Sequence, residues 1–276
     1  MTRTAVVIPI AFGILHLAFC ISPVSAQQTP SPASDPLHRP FDQVLDLYVR
    51  DGLVYYRALR SDHARLDRYI ASLGSVTKAT YDGWPREQKM AFWVNAYNAF
   101  VLQTVIQSYP VRGNSIRNIP GAFDQRQHRA AGRGVTLDQI EKKILPEFRD
   151  PRLYFALGRG AMGSGRLRSE VYTGSRMDEQ LKNQTDDFLG RLDHVKIDRL
   201  SNQVQISPII GWHEGEFIAA YSEGEESKKS ANRSPIERAA LALIDPILLP
   251  AEREFIDKGD FKVTYQTFDW KLNELK

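Results

Sequence analysis

The chain has 276 residues, 42% hydrophobic and 25% charged, with a formal net charge of +3. Thirteen Phe, eleven Tyr and four Trp are far more than a disordered, collagenous or coiled-coil chain carries, which excludes a linker or tail protein and predicts a real core.

Arg3 precedes a mostly apolar run, Ala5 to Ile21, which ends in Ser22-Pro23-Val24-Ser25-Ala26. A positive start, an apolar stretch too short to span a bilayer and small residues at the last and third-last positions predict a signal peptide cleaved after Ala26. The rest is then secreted or periplasmic, with no integral membrane segment after cleavage. An uncleaved anchor or a lipoprotein is the weaker alternative, since bulky Phe19 sits where a lipidation box wants a small residue. Cys20 is the only cysteine. Residues 27–276 therefore offer no disulfide, no thiolate nucleophile and no Cys-containing metal site.

The Pro- and Ser-rich stretch from 27 to 40 reads as a solvated tether, with one domain running from 41 to 276. Phe41 to Arg50 is expected as a short amphipathic helix and Leu53 to Tyr56 as extended. Asp62 to Leu73 is expected as a helix with Leu66, Tyr69, Ile70 and Leu73 on one face. Pro85 opens a helix to Ser108 that is apolar almost all round, so it should be central and buried. A Thr136 cap starts a helix to Phe148, Leu153 to Leu157 reads as a buried strand, and Ser175 to Asp178 launches a helix to about Leu192. Val195–Ile197 and Val204–Ile206 flank a hairpin turn at Ser201-Asn202. Pro208 to Tyr221 and Pro235 to Leu249 return to helix around a polar loop, and Lys262 to Phe268 alternates like a closing strand. The fold class predicted is α+β: a single, predominantly helical domain with a small, mostly antiparallel sheet built near Tyr154, Val195, Val204 and Val263.

Charge is unevenly spread. From Arg112 to Arg168 there are twelve Lys or Arg against five Asp or Glu, while the remainder is net acidic. The segment suits an anionic or peptide-like small ligand, or else pairs with acids elsewhere. Nucleic acid is not an expected partner of an exported chain. Gly158 to Gly165 contains a literal G-x-G-x-x-G, but it opens onto the polar Arg166-Leu167-Arg168 rather than an apolar helix, so no dinucleotide cofactor is expected. Arg159, Gly160 and Arg166 in this loop could still hold a smaller anion. Ser164 lacks the outer glycines of a nucleophile elbow.

His38, His63, His128, His194 and His213 form no H-x-x-x-H or H-E-x-x-H spacing, and helical geometry would splay His213 and Glu214 by about 100°. No metal site is expected. Asn95 and Asn98 share a face of the most apolar helix, where they either pin neighbouring loops or line a polar pocket. Glu141 and His128 are the candidates for acid and base, although a surface position is the first expectation for Glu141.

Phe92-Trp93-Val94-Asn95-Ala96-Tyr97-Asn98-Ala99, then Leu137-Asp138-Gln139-Ile140-Glu141, Asp150-Pro151-Arg152 with Phe155-Ala156-Leu157, Asp178-Glu179-Gln180-Leu181 and Asp269-Trp270-Lys271-Leu272-Asn273 resemble, in order, the domain of unknown function 547 family. The resemblance implies an exported or membrane-associated bacterial domain with no settled activity, and suggests a papain- or transglutaminase-like fold by analogy. It also implies a cysteine just after Phe155-Ala156-Leu157 in many members, where this chain has Arg159. A guanidinium neither attacks a carbonyl nor accepts a proton. Three functions stay open: a periplasmic ligand-binding or accessory domain whose hydrolase-like pocket lacks a thiol, a non-thiol amide or peptide hydrolase or transferase, and a structural partner in the envelope.

Overall fold

The computed structural model describes Thr2, residues 35–224, Ser227 and residues 230–276. The expected signal peptide, Cys20, most of the tether and part of the polar loop lie outside these residues. Helix α1 spans Arg39–Tyr48 and buries Phe41, Val44 and Leu45 at helical spacing. His38, expected in the tether, is buried with Nδ1 2.7 Å from the Tyr69 hydroxyl.

Strands β1 (Val49–Arg50) and β2 (Leu53–Val54) form a short antiparallel ribbon. Helices α2 (Tyr56–Ser61), α3 (Ala64–Ser75) and α4 (Lys78–Asp82) follow. Leu66, Tyr69 and Leu73 are the buried face of α3, and Tyr69 stacks flat on Phe41 with centroids 4.9 Å apart. The central element is α5, Arg86–Gln107, whose residues from Met90 to Val101 are all buried. A helix apolar on every side has no solvent face to offer and must be surrounded. It packs against α2, α3 and the later helix over Met177–Leu189.

Strands β3 (His128–Ala130) and β4 (Arg133–Val135) pair as a second antiparallel ribbon. Thr136 then caps α6 (Leu137–Gln139) in a reciprocal capping box: its hydroxyl accepts from the Gln139 amide, and its own amide donates to Gln139 Oε1. The expected regular helix to Phe148 is not regular. It widens into a π-helical turn over Ile140–Ile144 and tightens into a 3₁₀ turn over Leu145–Phe148.

Leu153–Leu157 is not a strand, which corrects the expected four-segment sheet. Pro151–Ala156 is a 3₁₀ helix, started by the Asp150 side chain accepting from the Arg152 amide and by Pro151 in its first turn. A short apolar run is ambiguous between buried strand and buried helix, and the cap with its proline settles the choice. The other three segments form one sheet. Strand β5 (Val195–Asp198) pairs antiparallel with β6 (Gln203–Ile206) around the turn containing Asn202, and β7 (Lys262–Tyr265) pairs parallel with β6, Val204 facing Val263. Helix α7 is Met177–Leu189.

Pro208 to Tyr221 breaks into α8 (Pro208–Trp212) and α9 (Glu214–Tyr221), with His213 at the break. The predicted helix from Pro235 ends at Ile244, and a further helix, Pro250–Lys258, follows it. Among the described residues no helix is long and apolar enough to cross a membrane.

The last residues lace the molecule together. Met162 and Gly163 amides donate to the carbonyls of Lys271 and Asp269. The Leu272 amide donates to Asn114, and the Val54 amide to Asn273. The buried Asn273 side chain accepts from the Tyr56 hydroxyl at 2.7 Å and donates to the Gly52 carbonyl at 2.8 Å. The Asp-Trp-Lys-Leu-Asn motif thus has a structural task of its own.

Candidate functional site

Three distant parts of the chain, carrying Tyr97, Arg159 and His213, converge on Glu141. The π-helical turn carrying it lies between Ile140 and Ile144, both buried, and such wide turns often re-aim a side chain at a functional site. Glu141 is itself buried, contrary to its expected surface position. The Tyr97 hydroxyl, from the middle of α5, donates to Oε2 at 2.8 Å. Arg159 donates to Oε1 from Nη2 at 2.6 Å and from Nε at 3.2 Å. His213 Nε2 lies 3.0 Å from the same oxygen.

Burial alone would raise the pKa of Glu141. The Arg159 guanidinium and the hydrogen bonds from His213 and Arg159 outweigh it and hold the carboxyl well below the usual range. Burial, reinforced by the Glu141 charge, pushes the Tyr97 hydroxyl well above its ordinary value. An ionised Glu141 can only accept, so the proton between it and His213 belongs to His213 Nε2.

Arg159 is aimed by its backbone. Its φ is +31°, a left-handed conformation unusual for a long side chain, and this turns the guanidinium back toward Glu141. There Nη1 also donates to the carbonyls of Tyr154 and Leu157, at 3.1 and 3.3 Å. Those carbonyls sit on and just after the 3₁₀ segment, whose end leaves acceptors unfilled by the helix itself. Tyr154 stacks on His213 with ring centroids 3.4 Å apart and planes within 6°, and its hydroxyl donates to Glu216 at 3.1 Å.

Above this group is a cavity of about 450 Å³ whose lining includes Glu141, Arg159, His213, Phe123, Trp212 and Trp270. Its size falls in the range of small-ligand sites. Asp138 and Lys142 also line it and pair with each other at 2.7 Å. Trp212 is 46% exposed and packs beside Phe268 and Trp270, at 4.9 and 5.8 Å between centroids.

The other expected site residues lie elsewhere. Asn95 and Asn98 each clamp a loop in both directions. Asn95 donates to the Tyr172 carbonyl at 2.8 Å and accepts from the Tyr172 amide at 3.0 Å. Asn98 donates to the Ala156 carbonyl at 3.0 Å and accepts from the Gly158 amide at 2.8 Å. Asn98 thereby fixes the backbone immediately before Arg159. A Cβ at Gly160 would stand 3.2 Å from Val101 and 3.3 Å from Ile116 in the core. Arg166 pairs with Asp51 at 2.7 Å and Asp187 at 3.4 Å, lining a different groove. His128 stacks on Phe100, with centroids 4.2 Å apart, and is not among the residues lining the cavity.

The Gly-rich loop spends its amides on the protein. Gly158 donates to Asn98, Ala161 to Gly158, Met162 to Lys271, Gly163 to Asp269 and Ser164 to Ala161. A Cβ at Gly165 would stand 1.8 Å from the Phe155 carbonyl oxygen, so this glycine serves close backbone packing. Of the basic segment, Lys142, Arg152, Arg159, Arg166 and Arg168 are paired with carboxylates. Among the described residues no group of three or more His, Cys, Asp or Glu could hold a metal ion.

Tyr97, Trp212, His213 and Trp270 were not among the candidates read from the sequence as site residues. Trp270 carried a signal, in the terminal Asp-Trp-Lys-Leu-Asn motif, as did His213, set between Gly211 and Gly215 at the break of an apolar helix. Residues 81–189 match a family model described as Protein of unknown function, DUF547. That span holds Tyr97, Glu141, Tyr154 and Arg159, while Trp212, His213 and Trp270 fall beyond it. No curated protein and no solved structure matches the chain.

Proposed function

We propose that the chain, whose residues 81–189 match the model of a family of unknown function, DUF547, is an exported ligand-binding domain whose hydrolase-like pocket lacks a thiol nucleophile. Export rests on the signal-like order of residues 1–26, and the missing thiol on Cys20 being the only cysteine. The observation that carries the binding reading is the aromatic-walled cavity floored by a Glu141–Arg159 pair. Buried charges that satisfy each other give a pre-formed floor with fixed donors and acceptors, and the rings above it supply apolar contact.

A thermal-shift panel on the full chain tests this, with peptides, phosphates, nucleotides, sugars and sugar acids as ligands. Ligand at a hundred times its Kd stabilises by about 2.7 kcal/mol. A shift in wild type that disappears in Trp270→Ala places the site in this cavity. No shift with any member of the panel overturns the reading in favour of a protein partner.

A second reading is favoured by the 3.0 Å contact between His213 Nε2 and Glu141. With Nε2 protonated, Nδ1 holds the free lone pair of a carboxylate-oriented base, which could take a proton from water attacking an ester or amide. Turnover of such substrates that vanishes in His213→Gln supports it, and an inactive wild type removes it.

A further inference from the structure

We infer that the cavity takes an uncharged sugar ring, packed against the Trp212 and Trp270 side chains that line it, with its hydroxyls turned toward His213 and Glu141. This rests on the ligand-binding reading above and narrows it to a chemical class.

The charge balance of the cavity comes first. Its four charged side chains form two internal pairs, Glu141 with Arg159 at 2.6 Å and Asp138 with Lys142 at 2.7 Å. An anion entering it finds no uncompensated cation among the lining residues and would have to break one of these pairs. Five of the twelve Lys and Arg in the basic segment pair with carboxylates, and the two that line the cavity, Lys142 and Arg159, are among them. The nearby Arg117 guanidinium is engaged too, stacked over the Trp270 ring at 5.2 Å, and it does not line the cavity.

The shape of the aromatic wall comes second. Trp212 and Trp270 lie within 21° of parallel with centroids 5.8 Å apart. A third ring inserted between them would need about 3.5–4 Å of contact on each face, so the two stacked indoles leave no slot for a ligand between them. Phe268 fills the angle between them, at 4.4 Å from Trp270 and 4.9 Å from Trp212. A ligand therefore meets the two indoles only from the cavity that both line.

The floor comes third. Glu141 Oε2 accepts one bond, from Tyr97, and a carboxylate oxygen has room for a second. His213 has a second ring nitrogen, and the Asp138–Lys142 pair offers both a donor and an acceptor at the rim. Indole side chains beside closely spaced donors and acceptors match a pyranose, which is apolar across its C–H face and polar around its edge. An alkyl chain would cover the floor without satisfying it, and unsatisfied buried polar groups are costly.

The test titrates the full chain with cellobiose, maltose and diacetylchitobiose, following tryptophan fluorescence and calorimetric heat. Glucuronate, inorganic phosphate, indole and a short aromatic peptide are run in parallel. Trp212→Ala and Trp270→Ala are measured alongside, each first shown to unfold cooperatively near the wild-type Tm. The expected result is saturable binding of at least one neutral disaccharide, weakened on the order of tenfold in Trp212→Ala. Binding of phosphate or glucuronate without any neutral sugar overturns the inference, as does sugar binding indifferent to both substitutions. If indole or the peptide binds and no sugar does, the sugar assignment falls while the ligand-binding reading stands. Silence in every arm removes both.

Discussion

Arg159 Nη2 and Glu141 Oε1 are 2.6 Å apart, with both side chains almost wholly withdrawn from water. Each makes the other's burial tolerable. Removing one partner leaves an unpaired charge in the interior, which costs about 3–5 kcal/mol. Arg159→Ala and Glu141→Gln should each lower Tm by on the order of 10 °C. The double substitution Arg159→Met with Glu141→Gln should recover much of the loss, because it leaves no buried charge behind. Thermal unfolding of the four proteins checks this; a double variant as unstable as the sum of the singles would show that the pair is not the unit of stability.

Acid should weaken the fold in a defined window. Burial, the largest cause for each, pushes His38 and His128 down to about 4 and His194 to about 3. In the unfolded chain these rings protonate near 6.5. Below pH 6.5 the unfolded state therefore binds more protons, and stability falls toward pH 4 by up to about 1.4 kcal/mol per pH unit for each histidine. Glu141 acts lower down: its depressed pKa contributes stability above the ordinary carboxylate range, lost only as pH falls beneath it. His128→Phe should remove one histidine's share of the slope, since His128 Nε2 has no hydrogen-bond partner and the ring stacks on Phe100. Urea midpoints measured from pH 7.5 to 4.5 decide the matter, and a flat profile contradicts it.

The loop clamps can be separated from ligand chemistry. Asn98→Ala leaves the Gly158 amide and the Ala156 carbonyl unpaired, at about 1–3 kcal/mol for each buried group. Asn98→Asp is expected to be worse, because it aims a carboxylate at the Ala156 carbonyl. Urea unfolding gives both values, and an Asp variant more stable than the Ala variant at pH 7 would contradict the assigned donor direction.

Two glycines should respond in opposite ways to the same methyl group. Gly165→Ala places a Cβ 1.8 Å from the Phe155 carbonyl oxygen and should prevent native packing of the loop before Arg166. Gly215, inside α9, has nothing within 4 Å of the corresponding position, and Gly215→Ala should stabilise by about 0.5–1 kcal/mol. Expression level and Tm distinguish them at once.

Helix α5, the β5–β6 hairpin and the Thr136 cap were legible because each is written in neighbouring residues: an apolar run after a proline, alternation around Ser201-Asn202, and a threonine three places before Gln139. The 3₁₀ segment was misread because five apolar residues fit strand and helix alike, and Asp150-Pro151 was the deciding signal. Glu141 and Arg159 were named individually, yet their pairing was not legible, since the site joins Tyr97, Glu141, Arg159, His213 and Trp270 from across most of the chain. Periodicity describes a segment against itself and contains nothing about which distant segment it will meet.

The closing segment imposes an order on folding. Tyr56 and Asn273 meet across 217 positions of sequence, and Trp270 arrives with the same strand of backbone that holds Met162 and Gly163. Closing so long a loop is slow relative to local helix formation. A chain caught before that closure has Glu141, Arg159, His213 and Trp212 but lacks the Trp270 part of the wall, so full ligand competence should appear as the last kinetic phase, after most helical signal has returned.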